Sequence, residues 1–83
     1  MDYEYLFSRR LHEELKNMIK GMVYCKVIND TLVVVISTRE GVQFEWLLEN
    51  FAHKLILGLI NPEMVAHVVA RKYRMHVLDT FMY

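Results

Sequence analysis

The chain has 83 residues, of which 54% are hydrophobic and 24% are charged. This composition excludes a disordered chain, and the length allows a single domain, residues 1–83, with a thin hydrophobic core. Ten basic and ten acidic residues give a formal net charge of zero, so no long-range field attracts the whole chain to nucleic acid or an anionic membrane. The apolar residues exceed what a thin core absorbs, which predicts an oligomer or a bound partner.

Three features of the sequence predict a soluble protein of the cytoplasm with no membrane partner. Cys25 is the single cysteine, so no intrachain disulfide forms. The first five residues, M-D-Y-E-Y, are acidic and lack the basic region of a signal peptide. The longest apolar runs, 32–36 and 55–60, are too short to span a bilayer.

Residues 2–20 are predicted to form the first helix. Asp2 is placed to cap its first turn, and Gly21 follows it where a left-handed residue often ends a helix. Apolar residues recur at helical spacing through the segment. They are Tyr3, Phe7, Leu11, Leu15 and Met18.

The segment 23–36 is predicted to be a β-hairpin with Asn29 and Asp30 as its loop. A two-residue loop fixes the register, because strand side chains alternate with period two. One face then carries Val23, Cys25, Val27, Leu32, Val34 and Ile36. The other face carries Tyr24, Lys26, Ile28, Thr31, Val33, Val35 and Ser37. The first set is a core face, whereas the second is more apolar than a solvated face and needs a cover.

A third strand is predicted over 42–47, after a polar turn that contains Gly41. Apolar and polar residues alternate there, and aromatic and β-branched side chains dominate. A helix that begins near Phe44 is the alternative, because Leu48, Phe51 and Leu55 continue a helical period from it. A strand is favoured, since a short turn after a hairpin adds an adjacent antiparallel strand.

Two helices are predicted to follow, over 49–57 and from Asn61 to about Leu78. The second begins with Asn-Pro-Glu, which supplies a cap, a first-turn proline and an acid at the positive end of the dipole. Its apolar stripe is Val65, Val68, Val69, Tyr73, Val77 and Leu78. The element order α-β-β-β-α-α predicts an α+β fold with a small three-stranded antiparallel sheet packed with helices.

Potential catalytic and metal-binding residues form no recognisable constellation in the sequence. The four histidines lack metal-ligand spacing, and Cys25 is expected on the core face as an unreactive thiol. A tight turn between the third strand and the second helix would bring Glu45 and Glu49 together, which leaves a metal-binding or general-acid pair as the alternative. The sequence therefore predicts a protein that is not an enzyme and has no catalytic, cofactor or metal site.

A basic cluster near the C-terminus is the strongest signal for nucleic-acid binding. It consists of Arg71, Lys72, Tyr73 and Arg74, next to His76, and Arg9-Arg10 on the first helix adds to it. Cations beside a tyrosine hold phosphates and stack on bases. The alternative, which we favour, is that these cations complement the helix dipole and solvate an apolar helix.

Four short segments resemble short uncharacterised proteins encoded in phages and prophages of Firmicutes. They are D-Y-E-Y-L-F at 2–7, N-D-T-L at 29–32, E-N-F-A-H-K at 49–54 and K-Y-R at 72–74. This resemblance implies an accessory or inhibitor protein that works in the cytoplasm of a host cell and binds protein or nucleic acid.

The element order also resembles two other groups of proteins. One is the double-stranded-RNA-binding domain, although Asn61-Pro62-Glu63-Met64 replaces the lysine-rich start of its last helix. The other is some anti-CRISPR inhibitors, many of which are strongly acidic, whereas this chain is neutral.

The sequence predicts a non-enzymatic interaction module that binds another protein or itself, as a homodimer, through its second sheet face. The predicted contact residues are Tyr24, Ile28, Val33 and Val35. Nucleic-acid binding through the basic cluster is the alternative function. The main prediction depends on the last helix leaving that sheet face uncovered.

Overall fold

A computed structural model describes residues 2–81 and has the predicted α+β architecture. Its elements follow the predicted order α-β-β-β-α-α. They are α1 (Tyr3–Met18), β1 (Met22–Ile28), β2 (Thr31–Ser37), β3 (Gln43–Leu48), α2 (Phe51–Ile56) and α3 (Pro62–Phe81). The strands form one antiparallel sheet in the order β1-β2-β3.

Helix α1 begins as predicted and ends two residues earlier. The Asp2 carboxylate accepts a hydrogen bond of 3.1 Å from the Tyr5 N–H, which caps the first turn. The helix ends at Met18 because Ile19 adopts an extended backbone and is buried in the core. Gly21 has a φ of +151°, and a Cβ there would lie 2.8 Å from the Ser37 carbonyl oxygen. The glycine therefore permits close approach to β2 rather than ending the helix.

The hairpin has the predicted register. Ile28 pairs with Thr31 and Cys25 pairs with Val34, as a two-residue loop requires. Asn29 and Asp30 have φ values of +48° and +61°. A type I′ turn requires positive φ at both central residues, and Asn and Asp tolerate it better than most side chains.

Segment 43–48 is a strand, which confirms the favoured prediction over the helical alternative. Trp46 pairs with Val34, and Phe44 pairs with Ile36. The turn before the strand is closed at Val42, whose carbonyl accepts from the Thr38 N–H at 2.9 Å. The Val42 N–H donates to the Thr38 hydroxyl at 3.1 Å.

Helix α2 is shorter than predicted and is capped by the hairpin. Asn50, which precedes it, has a left-handed backbone and makes no side-chain capping bond. Instead the Asp30 carboxylate accepts from the Ala52 N–H at 2.7 Å, and the Asp30 carbonyl accepts from the Phe51 N–H at 2.9 Å. A turn residue of the sheet thus fixes the start of α2.

Helix α3 starts at the predicted cap, where Asn61 accepts a 2.8 Å bond from the Met64 N–H. It runs to Phe81, beyond the predicted end near Leu78. The predicted stripe is partly wrong, because Val68 and Leu78 are exposed. The buried positions are Val65, Ala66, Val69, Ala70 and Tyr73. The helix turns its alanines inward because the small side chains allow close packing.

Helices α1 and α3 pack against each other and lie on the same face of the sheet. The core between these layers holds Leu11 and Leu15 of α1, Val34 of β2 and Val69 of α3. Phe51 of α2 is fully buried and meets Phe7 edge-to-face at 5.1 Å. The fold thus has two layers, and both long helices cover one side of the sheet.

Candidate interaction surface

The second face of the sheet, termed the open face, consists of the outward residues of three strands. These residues are Met22, Tyr24, Lys26, Ile28, Thr31, Val33, Val35, Ser37, Gln43, Glu45 and Leu47. Within residues 2–81 no helix packs on this face, so Tyr24 is 56% exposed, Ile28 47% and Leu47 50%. The structure therefore leaves the predicted contact residues accessible.

The centre of the open face is apolar, and its strand register places two rows of three side chains there. One row runs Tyr24–Val35–Glu45 across the sheet. The next row runs Lys26–Val33–Leu47. Val33 and Val35 lie on the central strand and are half-buried by their neighbours. A partner that lies on these rows would meet a valine ridge with large apolar side chains beside it.

The two rows form a block of six residues, and its two charged side chains lie at diagonally opposite corners. Lys26 lies on one edge strand and Glu45 on the other, in adjacent rows. Strand spacing and rise place their Cα atoms about 12 Å apart, on either side of the midpoint between Val33 and Val35. The open face thus has an apolar centre with one cation and one anion arranged diagonally around it.

Sequence reasoning assigned one face of the hairpin and missed the contribution of β3 to it. Glu45 and Leu47 join the open face because Trp46 faces the core beside Val34. The alternation of 43–48 contained this information. The pairing of β3 with β2 also depends on the turn over 38–42, and the sequence does not fix its geometry.

A groove between α1 and β1 contains the thiol of Cys25. Burial raises the pKa of this thiol to about 11. The groove is lined by Asp2, Glu4, Tyr5, Ser8, Cys25, Lys26 and Val27. His12 of α1 does not line this groove, and its Nε2 lies 3.0 Å from the Val23 carbonyl oxygen. A nucleophilic cysteine needs a lowered pKa, so this environment opposes thiolate chemistry at neutral pH.

The basic cluster of α3 is divided by burial. Arg71, Lys72 and Arg74 are exposed, but Tyr73 is only 8% exposed and packs edge-to-face on Phe44 at 5.9 Å. Burial and the nearby negative charge of Glu40 raise the pKa of Tyr73. The predicted base-stacking role of Tyr73 is therefore wrong, because its ring is part of the core.

Two further cations, on α1, belong to ion pairs. Arg9 approaches Glu13 at 3.7 Å, and Arg10 lies 3.2 Å from Glu14. Arg10 also bridges to Glu63 of α3 at 3.1 Å. These contacts offset the positive charges of Arg9 and Arg10, so these two arginines do not extend the basic cluster.

A second exposed apolar region lies where α2 ends and the chain turns towards α3. Ile56 is 83% exposed, and Leu57 and Leu59 are also exposed. These side chains lie on the last turn of a six-residue helix and the loop after it. They do not belong to a strand, unlike the side chains of the open face.

Searches against protein-family models, curated proteins and solved structures gave no match. Among residues 2–81, no three potential ligands of the His, Cys, Asp and Glu types come together as a metal site would require. No helix in that part of the chain is long and apolar enough to cross a membrane.

Proposed function

We propose that the protein is a non-enzymatic interaction module that binds a protein surface through its open face. The observation that carries this proposal is the uncovered apolar centre around Val33 and Val35, on a sheet whose other side packs against the helices. Contiguous apolar surface of this kind marks binding sites in soluble proteins. The resemblance to small phage accessory proteins is compatible with this role and stays a prediction.

Binding through the open face would be favourable because it removes the apolar area of the exposed side chains from water. Tyr24, Ile28 and Leu47 are each about half exposed. Removing such a half-exposed side chain from water contributes about 1 kcal/mol. Strand pairing fixes the backbone that carries these side chains before binding, which reduces the entropy lost on association.

The surroundings of Cys25 support a role without catalysis. Its thiol is held protonated by burial, with a pKa of about 11. Among residues 2–81, the side chains that line its groove include no histidine to act as a base. Nucleophilic catalysis by cysteine depends on such a base or on a lowered pKa.

Paired variants of the two exposed apolar regions test the proposal. Immobilised wild-type protein, V33E and I56E are each incubated with lysate of the source cell and, separately, with the purified chain itself. We expect any protein retained by the wild type to be retained by I56E and lost from V33E. The proposal would be overturned if V33E retained everything that the wild type retains, both from the lysate and from the solution of the purified chain.

Nucleic-acid binding through α3 is the second candidate function. Arg71 and Arg74 are exposed, and within residues 2–81 neither makes an ion pair. Arg74 also lines a groove together with Lys20, which follows α1. Residues three apart share a helix face, so these two arginines are placed to contact one phosphate backbone.

Fluorescence anisotropy with labelled single- and double-stranded DNA and RNA at low salt tests this second function. We expect affinity that falls steeply with salt and is lost in R71A/R74A. The double variant R9A/K54A removes the same charge at positions outside the groove of Lys20 and Arg74 and should bind normally. Absence of binding to all four probes at low salt would remove this candidate.

A further inference from the structure

We infer that the occupant of the open face is a second copy of this chain, related by a two-fold axis that brings Lys26 of each copy onto Glu45 of the other. This inference depends on the proposed function, because it names the partner of the same surface. The proposed function uses only the apolar side chains of the face, whereas this inference uses the positions of its charged side chains.

The diagonal placement of the two charges makes the open face complementary to itself. Lys26 and Glu45 occupy opposite corners of the block formed by the two central rows. In a face-to-face dimer the two-fold axis lies in the interface. This axis runs perpendicular to the line from Lys26 to Glu45, in a direction between the strands and the Tyr24–Leu47 diagonal. A rotation of 180° about it brings Glu45 of one copy to Lys26 of the other. Both ion pairs then form at once, as a two-fold interface requires.

The centre of the face fits the same axis. Val33 and Val35 flank the midpoint of the block, so each copy presents a valine ridge to the ridge of the other. The remaining corners, Tyr24 and Leu47, are apolar and are not brought against a like charge. The zero net charge of the chain also adds no long-range repulsion between copies.

The size of the open face predicts a weak, reversible dimer. Three strands of about seven residues give a surface about 23 Å long and about 14 Å wide. Two such surfaces bury less than the ~1,600 Å² of a standard interface. We therefore expect a dissociation constant in the micromolar range, and the measurements must extend from about 1 μM to several hundred μM.

Charge exchange between the two corners tests the inference. In K26E each copy presents two carboxylates at the corners, and in E45K each presents two ammonium groups. Like charges then meet across the interface, and we expect each variant to dimerise at least about tenfold more weakly than the wild type. An equimolar mixture of K26E and E45K restores both ion pairs and should form a heterodimer of near wild-type affinity. The double variant K26E/E45K should recover as a homodimer.

Sedimentation equilibrium, with one variant labelled, measures these affinities, and thermal unfolding of each variant monitors the fold. Both positions are exposed, so we expect every variant to stay folded. A wild type that is monomeric at several hundred μM would overturn the inference, and so would a mixture that associates no better than its components. If V33E alone abolishes dimerisation while the charge variants behave as wild type, the proposed function stands and the two-fold pairing is wrong. If V33E also dimerises normally, the open face is not the interface.

Discussion

The two faces of β2 both carry branched aliphatic side chains at their centre, but only one of these faces is buried in the core. Leu32, Val34 and Ile36 point to the helices and are fully buried, whereas Val33 and Val35, between them in sequence, are not. Hydrophobicity does not distinguish the two sets. The difference is that one face receives both long helices and the other receives none within residues 2–81.

The widths of the layers explain this outcome. An α-helix with its side chains is about 10 Å across, so two side by side cover the roughly 14 Å of three strands. Ala66 and Ala70 of α3 are fully buried and allow α3 to approach α1 closely. Both helices are thus used on one face, and the valines opposite remain available to a partner.

The largest expected effect comes from the same substitution on adjacent residues of β2. V34E places a carboxylate in the core and should destabilise the fold by about 4 kcal/mol or more, which is most of the stability of a small domain. V33E places it on the open face beside Lys26 and should cost less than about 1 kcal/mol. Urea denaturation followed by circular dichroism measures both values. Similar losses in the two variants would show that the faces do not differ as described.

A smaller effect is expected at Asp30, which joins the hairpin to the layer of helices. D30A removes the cap of Ala52 and places a residue that disfavours positive φ in the turn, so we expect a loss of about 1–2 kcal/mol. D30G removes the same cap and tolerates the φ of +61°. It should therefore lose less than D30A. The same urea titration compares the variants, and an unchanged midpoint in both would contradict the capping role.

The smallest effect concerns Cys25, at the margin of the covered face. Its pKa of about 11 lies above the ordinary 9.0, so the folded state holds the thiol proton more tightly than the unfolded state. The resulting stabilisation is complete below pH 9.0 and is lost as pH rises through about 11. We expect the unfolding free energy to fall over this range less steeply in C25A than in the wild type.

Alkylation provides an independent measure of the same thiol. At about pH 8 the folded protein should react with iodoacetamide roughly 100-fold more slowly than the denatured chain, because its thiolate fraction is that much lower. Equal rates in the two states would show that burial does not protect Cys25. The groove beside β1 would then have to be reconsidered as a reactive site.

Local chemistry in the sequence determined the elements and the hairpin. The Asn29-Asp30 loop fixed the register, and Asp2 and Asn61 marked two helix starts, because these signals act within a few residues. Strand alternation placed Tyr24, Ile28, Val33 and Val35 together on one face. Tertiary structure alone decided that this face is left open, that β3 pairs beside β2 and so extends it, and that Tyr73 enters the core. These outcomes depend on which face of the sheet the helices cover and on which strand pairs with β2. Both are determined by packing between segments that are far apart in the chain.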